Sequence, residues 1–201
     1  EQADSVTVDP HKWFYAPLDA GAILVREGAQ LTRSFGMKPA YLTDEFDAAG
    51  ERYQYYVHSF EQSRRFRGLK VWMSFKRYGA DEICRWIDSN VAQAQSLHDL
   101  AHASRDFQSA TRPCMSGVCL RYRPEPLDEE LSSRLHVRVA QRMEEIGRFW
   151  FSTTVLKGLT YFRINIVNFR TRAEHIEELF ALLRSECAQA LSELRGSVRT
   201  A

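Results

Sequence analysis

Residues 5–25 read SVTVDPHKWFYAPLDAGAILV, and this stretch decides the kind of fold that the chain can adopt. Both of its ends are short apolar runs of the kind that forms strands. Pro10 ends the first run, because proline marks a turn and the residue before it disfavours helix. The stretch therefore predicts two sheet strands, 5–8 and 20–26, joined by a loop that carries Lys12.

A lysine in such a loop is either structural or reactive. Lys12 follows His11 and precedes three aromatic residues, Trp13, Phe14 and Tyr15. Partial burial disfavours the ammonium form of a lysine, and a neutral amine can form a Schiff base with an aldehyde. The alternative is a surface lysine whose stem packs on Trp13. The dipeptide alone leaves both interpretations open.

The composition is that of an ordinary globular chain. It has 201 residues, of which 44% are hydrophobic and 26% charged, enough for one sizeable core or for one domain and part of another. A net charge of +1 provides no field that would attract nucleic acid or an anionic membrane. No apolar run approaches the ~20 residues of a spanning helix. We therefore expect neither nucleic acid nor membrane as a partner.

The cysteines indicate a reducing compartment. Cys84 and Cys187 fall on predicted helices, and Cys114 and Cys119 lie near predicted strands. Their spacing fits no common zinc pattern, so we interpret them as reduced, structural thiols. This favours a cytoplasmic protein without a metal site.

Two further regions follow the Lys12 loop. Residues 29–63 contain no sustained helical or strand period, which is typical of a functional lid or of a disordered segment. Residues 64–79 have apolar side chains near helical spacing, and Gly79 ends that helix. A second helix is predicted from Asp81 through Ala103.

The remainder of the chain predicts an α+β domain with helices on one face of a small sheet. Residues 157–159 resemble a hairpin turn, and Thr171 with Glu174 has the pattern of a capping box. The predicted elements are strands 107–113 and 117–124, a helix 127–146, strands 148–156 and 160–168, and a helix from 171 to about 194 followed by a frayed tail.

Four stretches together resemble one known family. They are ADSVTVDPHKWFYAPLDAGAILVR (3–26), KPAYLTDE (38–45), SRRFRGLKVWMSFKRYG (63–79) and LKGLTYFRINIVNFRT (156–171). Their order and content are similar to the group II pyridoxal-phosphate decarboxylases, which act on aromatic amino acids, histidine, glutamate and cysteine sulfinate. The resemblance is strongest to the aromatic-amino-acid branch and covers essentially the whole chain.

The resemblance implies an α/β fold, namely the C-terminal part of a fold-type I pyridoxal-phosphate enzyme of the aspartate-aminotransferase type. The chain would contain the end of the large-domain sheet and a small α+β C-terminal domain. Residues 1–63 would end the cofactor-binding large domain, with the cofactor lysine and the catalytic lid. Residues 64–103 would be connecting helices, and residues 104–201 the small domain.

The resemblance also implies roles for individual residues. Lys12 would carry pyridoxal 5'-phosphate, and His11 would lie beside the cofactor phosphate or the substrate, with a purely structural hydrogen bond as the alternative. Tyr41 matches a loop tyrosine that protonates the substrate carbon after CO2 leaves, a step that phenylalanine cannot perform. That loop reaches the neighbouring subunit in the family, so Tyr41 implies a homodimer. The alternative is an exposed loop aromatic.

Two residues bear on the substrate. In plant members of the family, serine at the position of Ser63 accompanies phenolic substrates and glycine accompanies indolic ones, which favours a tyrosine- or DOPA-like substrate. The alternative is that Ser63 caps a helix. His58 lies in the same segment and would face either the substrate or solvent.

Basic residues elsewhere have plainer interpretations. We expect Arg64, Arg65, Arg67 and Lys70 to form salt bridges at a helix start in a dimer, not a nucleic-acid surface. Arg163 lies where related enzymes bind a substrate carboxylate, and we expect a structural ion pair, with substrate binding as the alternative.

The predicted function is pyridoxal-phosphate-dependent decarboxylation of an L-amino acid, tyrosine- or DOPA-like, to the amine and CO2. Because the chain opens at Glu1 directly before a strand-like run, we expect a longer polypeptide, with the aspartate that pairs with the cofactor's pyridinium nitrogen upstream of Glu1. The chain alone is then expected to be inactive until it associates with that segment. The alternatives are an aldehyde synthase or aminotransferase-like enzyme, or a truncated non-catalytic paralogue.

Overall fold

The computed structural model describes residues 2–37, 41 and 53–199. The chain forms two compact units, Glu1–Ile83 and Cys84–Ala201. We call them unit 1 and unit 2. In the described part of the chain, no helix is both long and apolar enough to cross a membrane.

Unit 1 contains one antiparallel pair of strands, as the opening stretch predicted. β1 and β2 pair so that Ser5 lies opposite Val25 and Val8 lies opposite Ala22. The thirteen residues between the strands form the Lys12 loop. The regular elements of unit 1 are β1 (Ser5–Val8), β2 (Ala22–Val25), α1 (Ala29–Phe35), a 3-10 helix (Tyr55–His58), α2 (Arg67–Tyr78) and the first residues of α3 (Ala80–Ala103).

Part of the segment predicted to lack regular structure is helical. Helix α1 occupies residues 29–35 and has no buried residue. The helix is too short to display a clear apolar period, which is why the pattern did not reveal it. The two helices predicted next are confirmed as α2 and α3, and Gly79, with φ of 80°, ends α2.

Unit 2 is built around a four-stranded antiparallel sheet. Its strands are ordered β3-β4-β6-β5. Helices α4 and α5 follow β4 and β6 in the chain, so the predicted α+β order is confirmed, although most strands are shorter than predicted. The elements are β3 (Phe107–Ser109), β4 (Gly117–Tyr122), α4 (Glu129–Ile146), β5 (Ser152–Leu156), β6 (Leu159–Asn165) and α5 (Ala173–Arg199).

The core of unit 2 lies between the sheet and the helices. Phe162 of β6 and Leu120 of β4 are fully buried opposite each other in the sheet. Leu135 of α4 and Leu183 of α5 are equally inaccessible. Arg163, next to Phe162, is exposed, because successive residues of a strand point to opposite faces.

The hairpin turn is confirmed, and the predicted capping box is wrong. Lys157 and Gly158 both have positive φ, 51° and 79°, as a two-residue hairpin turn between β5 and β6 requires. Helix α5 begins at Ala173, two residues after Thr171, and extends to Arg199 rather than fraying at Leu194. The side chain of Gln93 holds the Thr171 carbonyl at 2.6 Å, which keeps that residue in the preceding loop.

A buried histidine links α4 to the sheet. The Nδ1 atom of His136 donates to the carbonyl of Ser132 at 2.6 Å, and its Nε2 atom accepts from the backbone N–H of Tyr122 at 3.0 Å. The ring is fully buried. Burial is the main reason that the pKa of His136 falls to about 4. The imidazole is therefore neutral at physiological pH.

We predict that unit 2 loses stability in mild acid because of His136. The pKa is about 4 in the folded protein and about 6.5 in the unfolded chain. The stabilising contribution is thus complete above pH ~6.5 and is lost as pH falls toward ~4, by about 2 kcal/mol between pH ~7 and pH ~5. Urea unfolding at both pH values measures this loss.

The variant His136→Gln can replace both hydrogen bonds but does not titrate, so we expect a smaller loss of stability on acidification. His102→Gln, at an exposed position of α3, is the matched control and should behave like the parent. An equal acid loss in the parent and in His136→Gln would contradict the prediction.

Candidate functional site

The Lys12 loop is a compact turn held by its own backbone. The N–H of Lys12 donates to the carbonyl of Asp9 at 2.9 Å, and the N–H of Ala16 donates to that of Pro10 at 3.0 Å. Tyr15 has a φ of 57°, which is rare for a bulky residue and persists only where its surroundings enforce it. Its N–H donates to the carbonyl of Lys12 at 3.3 Å. The turn thus presents Lys12 on a defined backbone.

The amine of Lys12 is accessible and has an ionic partner. Its Nζ lies 2.6 Å from Oδ2 of Asp9, and the lysine side chain is 68% exposed. The hydrogen bond from Lys12 is the main reason that the pKa of Asp9 is lowered. Asp9 is therefore an ionised partner beside the amine.

The aromatic residues that follow Lys12 do not enclose its amine. Phe14 packs edge-to-face on Phe75 of α2, with ring centroids 5.9 Å apart, and Trp13 and Tyr15 are half-buried. None of this covers Lys12, which stays exposed. Phe14 thus attaches the turn to α2, and the aromatic residues leave the amine accessible to solvent.

His11 is held by the backbone of Ala20, which is almost fully buried just before β2. The Nδ1 atom of His11 lies 2.6 Å from the carbonyl oxygen of Ala20 and 3.1 Å from its backbone nitrogen. One neutral tautomer cannot serve both contacts, since the first needs a proton on Nδ1 and the second a lone pair. An unprotonated nitrogen 2.6 Å from a carbonyl oxygen would be repelled, so we assign the proton to Nδ1. The lone pair of the neutral ring is then on Nε2.

A guanidinium connects the end of this turn to α2. Nε of Arg67 donates to Oδ2 of Asp19 at 2.8 Å, while its two terminal nitrogens donate to both oxygens of Glu61 at 2.8 and 3.1 Å. The hydrogen bond from Arg67 is the main cause of a pKa of about 2 for Asp19. Lys70 and Arg65 approach the same carboxylate at 3.5 and 3.7 Å. Three residues of the basic run thus form salt bridges at a helix start, as expected, whereas Arg64 lies over the ring of Tyr55 at 6.0 Å, and the expected dimer stays a prediction.

The remaining candidate residues, Tyr41, His58 and Ser63, lie between α1 and α2 in the chain. Tyr41 is 80% exposed, and its neighbours 38–40 and 42–52 lie outside the described residues. His58 stacks on Tyr53 with ring centroids 4.4 Å apart, and its Nδ1 lies 2.9 Å from the carbonyl oxygen of Gln54. Ser63 is exposed. Within the described part of unit 1, no hydrogen bond, ion pair or ring contact joins these three residues to Lys12.

One of the plainer interpretations is wrong, and another has no support among the described residues. Ser63 does not cap α2, because Phe66 occupies the N-cap position and the helix begins at Arg67. Arg163 forms no ion pair with any described carboxylate, since it lies on the exposed face of β6 opposite Cys119 and Ser152. The ion pair expected for Arg163 therefore stays a prediction.

The sequence interpretation missed three contributors to the site. Asp9 is one of them, and its spacing of three residues before Lys12 was a usable signal. The backbone of Ala20 and the carboxylate of Asp19 are the others. No local pattern points to these two, since their partners lie nine and 48 residues away in the chain.

Comparison with known proteins assigns the chain to a family. The model of the pyridoxal-dependent decarboxylase conserved domain matches residues 1–123. The chain belongs to the pyridoxal-dependent decarboxylase family. The resemblance inferred from the motifs around Lys12 is thereby confirmed, and pyridoxal phosphate is the cofactor of this family.

Individual members of the family show where the similarity lies. The aromatic-L-amino-acid decarboxylase of Bacillus atrophaeus is 31% identical over 186 residues, which are 92% of this chain and 38% of that protein. The phenylacetaldehyde synthase of Arabidopsis thaliana is 25% identical over 191 residues, 95% of this chain and 39% of that one. The chain thus spans less than two-fifths of the length of these curated relatives.

A solved structure supports the fold. The crystal structure of Oryza sativa TDC with PLP and tryptamine matches with a TM-score of 0.86 and 26% identity, covering 94% of this chain and 40% of that one. The expected α/β architecture of fold-type I pyridoxal-phosphate enzymes is confirmed by this match.

The residues of the Lys12 turn fit the family's cofactor. Pyridoxal phosphate carries an aldehyde, which bonds to a primary amine. Lys12 supplies such an amine, 68% exposed and with one exchangeable ionic partner. His11 adds an imidazole with its lone pair on Nε2. The chemistry of the turn therefore suits the cofactor.

We predict that Asp9→Asn makes the amine of Lys12 more reactive. Asparagine keeps an oxygen near Nζ, but it removes the ion pair that holds the amine at 2.6 Å from Asp9. Acetylation of Lys12 at pH ~8, followed by peptide mass spectrometry, should become a few-fold faster, as expected for an exposed pair. Acetylation of the exposed Lys76 is the internal control, and an unchanged Lys12 rate would contradict the prediction.

Proposed function

We propose that this protein decarboxylates an aromatic L-amino acid with pyridoxal phosphate as cofactor, releasing the amine and CO2. The observation that carries the proposal is the accessible amine of Lys12, presented on a rigid turn beside Asp9 and His11. When bound, pyridoxal phosphate acts as the electron sink for the bond that breaks at the substrate carbon.

Lys12 would hold the cofactor through its amine, and that amine would be freed when the amine of the substrate takes its place. Each exchange requires Nζ to lose and regain a proton. Asp9 remains a carboxylate because its pKa is lowered by the hydrogen bond from Lys12, so it stabilises the ammonium whenever the amine is free. Asp9 therefore supplies a negative charge at this position and does not take up the proton that Nζ releases.

His11 is oriented for proton transfer or hydrogen bonding through Nε2. Its Nδ1 proton is held by the carbonyl of Ala20 at 2.6 Å, which leaves the Nε2 lone pair as the remaining polar site of the ring. We propose that this lone pair, on the residue next to Lys12 in the chain, is the acceptor for the proton that Nζ releases. His11 thus has a role in the chemistry and not only in the turn.

Tyr41 supplies a proton to the substrate carbon after CO2 has left. Its phenol can donate a proton, and its side chain is 80% exposed, so it is accessible to a site formed with another subunit. We propose that it acts across the interface of a homodimer. Free thiols at all four cysteines accord with a cytoplasmic location.

The substrate that we propose is phenolic, of the tyrosine or DOPA type. Ser63 is exposed and is not used as a helix cap, so its hydroxyl is available to a substrate. His58 is half-buried in the stack on Tyr53 and is the second candidate contact. Similarity to an aromatic-L-amino-acid decarboxylase supports an aromatic substrate.

A second candidate is an aldehyde-forming reaction on the same amino acids. It is favoured by the similarity to a phenylacetaldehyde synthase over 95% of the chain. A tyrosine at position 41 argues for simple decarboxylation, because a phenol can return the proton on which amine formation depends.

We predict that the protein binds pyridoxal phosphate covalently at Lys12. Adding the cofactor should produce the visible absorbance band of pyridoxal phosphate bonded to lysine, and borohydride reduction followed by mass spectrometry should place the adduct on Lys12. Lys12→Ala should lose both signals. Lys76→Ala, which removes an exposed lysine of α2, is the control and should retain them. Because the chain spans less than two-fifths of the length of its curated relatives, the full-length protein is tested in parallel, and absence of the band there would contradict the proposed function.

We predict that Tyr41→Phe changes the product and leaves cofactor binding intact. The variant lacks the phenolic proton, so amine formation from tyrosine or DOPA should fall by about 10²–10⁴-fold, the usual contribution of one acid–base group. Amine, aldehyde and CO2 are measured together. Tyr53→Phe, at another exposed tyrosine, is the matched control. If the parent releases mainly aldehyde, the second candidate replaces the first.

A further inference from the structure

The guanidinium of Arg67 lies where three separate segments of unit 1 meet. Its side chain is only 23% exposed, although it is the first residue of α2. The fork of two terminal nitrogens is matched to both oxygens of Glu61, and Nε is matched to Asp19. Such bidentate geometry fixes orientation as well as distance. Arg67 therefore holds the carboxylate of Asp19 in one position.

Asp19 is the residue before Ala20, whose backbone holds the ring of His11. Ala20 is 2% exposed. Its carbonyl oxygen lies 2.6 Å from Nδ1 of His11, and the same oxygen accepts the backbone N–H of His11 at 3.4 Å. A shift of Asp19 therefore moves the peptide group that sets the orientation and tautomer of His11.

His11 in turn immediately precedes Lys12. The side chain of Lys12 has Asp9 as its ionic partner, so the position of Nζ depends on the backbone of the turn. That backbone is connected to the start of β2 through the contacts between His11 and Ala20. The chain of contacts runs from Arg67 through Asp19, Ala20 and His11 to Lys12.

We infer that Arg67 is a positioning residue for the cofactor lysine, acting through Asp19 and the backbone of Ala20 on His11 and Lys12. This inference rests on the proposed function, in which Lys12 carries the cofactor. It assigns Arg67 a role beyond that of a salt bridge at a helix start. Arg67 touches neither substrate nor cofactor in this role.

The decisive variant is Arg67→Lys, which keeps the charge and loses the fork. Lysine is one point charge and cannot hold Asp19 and Glu61 in the same geometry. The first readout needs no cofactor: nitrogen–proton couplings in histidine-labelled protein report which ring nitrogen of His11 carries the proton. His11 is assigned by comparison with His11→Asn. We expect Nδ1–H in the parent and a mixture of tautomers in Arg67→Lys.

The second readout is the rate at which pyridoxal phosphate and borohydride label Lys12. We expect a loss of roughly 10- to 100-fold in Arg67→Lys, the size of effect that follows a misplacement of about 1 Å at a reacting group. Arg65→Lys is the matched control. The Arg65 side chain is 80% exposed and approaches Asp19 only to 3.7 Å, so both readouts should stay at the parent values.

Asp19→Asn is a second variant in case Arg67→Lys does not fold, as judged by thermal unfolding. It keeps the shape of the side chain, removes its charge, and should change both readouts in the same direction. The double variant, Arg67→Lys with Asp19→Asn, tests whether Arg67 acts through Asp19. If Arg67 acts through Asp19, adding Arg67→Lys to Asp19→Asn should slow labelling no further.

The outcomes separate this inference from the proposed function. If Lys12 is not labelled in the full-length parent, the proposed function is overturned and the inference with it. If Lys12 is labelled in the parent, and Arg67→Lys lowers only the unfolding temperature while His11 and the labelling rate are unchanged, Arg67 is purely structural. That result overturns the inference alone.

Discussion

The contact between the imidazole of His11 and the backbone of Ala20 is the constraint on which the candidate site depends. It joins His11, which precedes Lys12, to Ala20, which lies two residues before β2. The contact thereby closes the long connection between β1 and β2. The packing of Phe14 on Phe75 and the ion pair of Asp19 with Arg67 attach the same connection to α2. With the contact between His11 and Ala20, a lysine in a loop has a position defined by a sheet. Polar contacts, and not burial of its side chain, therefore define the position of Lys12.

The charges around this contact are arranged to hold geometry. Asp9 and Asp19 both have lowered pKa values, each chiefly because of a hydrogen bond from a basic side chain. Both carboxylates are consequently ionised at physiological pH, one beside Lys12 and one beside Arg67. The amine itself is exposed. The dry environment that sharpens such chemistry is not provided by the aromatic residues of the turn.

Unit 2 shows the opposite balance between burial and charge. Its core buries His136 as a neutral ring, and both ring nitrogens are hydrogen-bonded to backbone groups. Arg121 is also buried, with both oxygens of Glu129 and the hydroxyl of Ser132 as acceptors. These hydrogen bonds form only in the native arrangement, and the buried Nε of Arg121 has no partner among the described residues. Unit 2 is therefore held by a packed core, whereas the Lys12 turn is held by individual polar contacts.

The sequence by itself determined the elements and the chemistry. Alternating and β-branched runs identified β1, β2 and the strands of unit 2, and helical spacing identified α2 to α5, because these signals are local. The motif around Lys12 was sufficient to recognise the family. The sequence pattern did not reveal the short helix α1 or the correct first residue of α5, because the limits of these helices depend on contacts and not on local pattern.

Only the tertiary structure decided how the candidate residues are held. Ala20 and Asp19 look unremarkable in the sequence, and their roles appear when residues nine and 48 positions away fold against them. The sequence left open whether Lys12 is partly buried or on the surface, and the structure shows its side chain 68% exposed, with Phe14 packed on Phe75 instead. The physical reason is common to these cases. Residue type defines what a group can do, while hydrogen-bond geometry and solvent exposure depend on which distant segments of the chain meet.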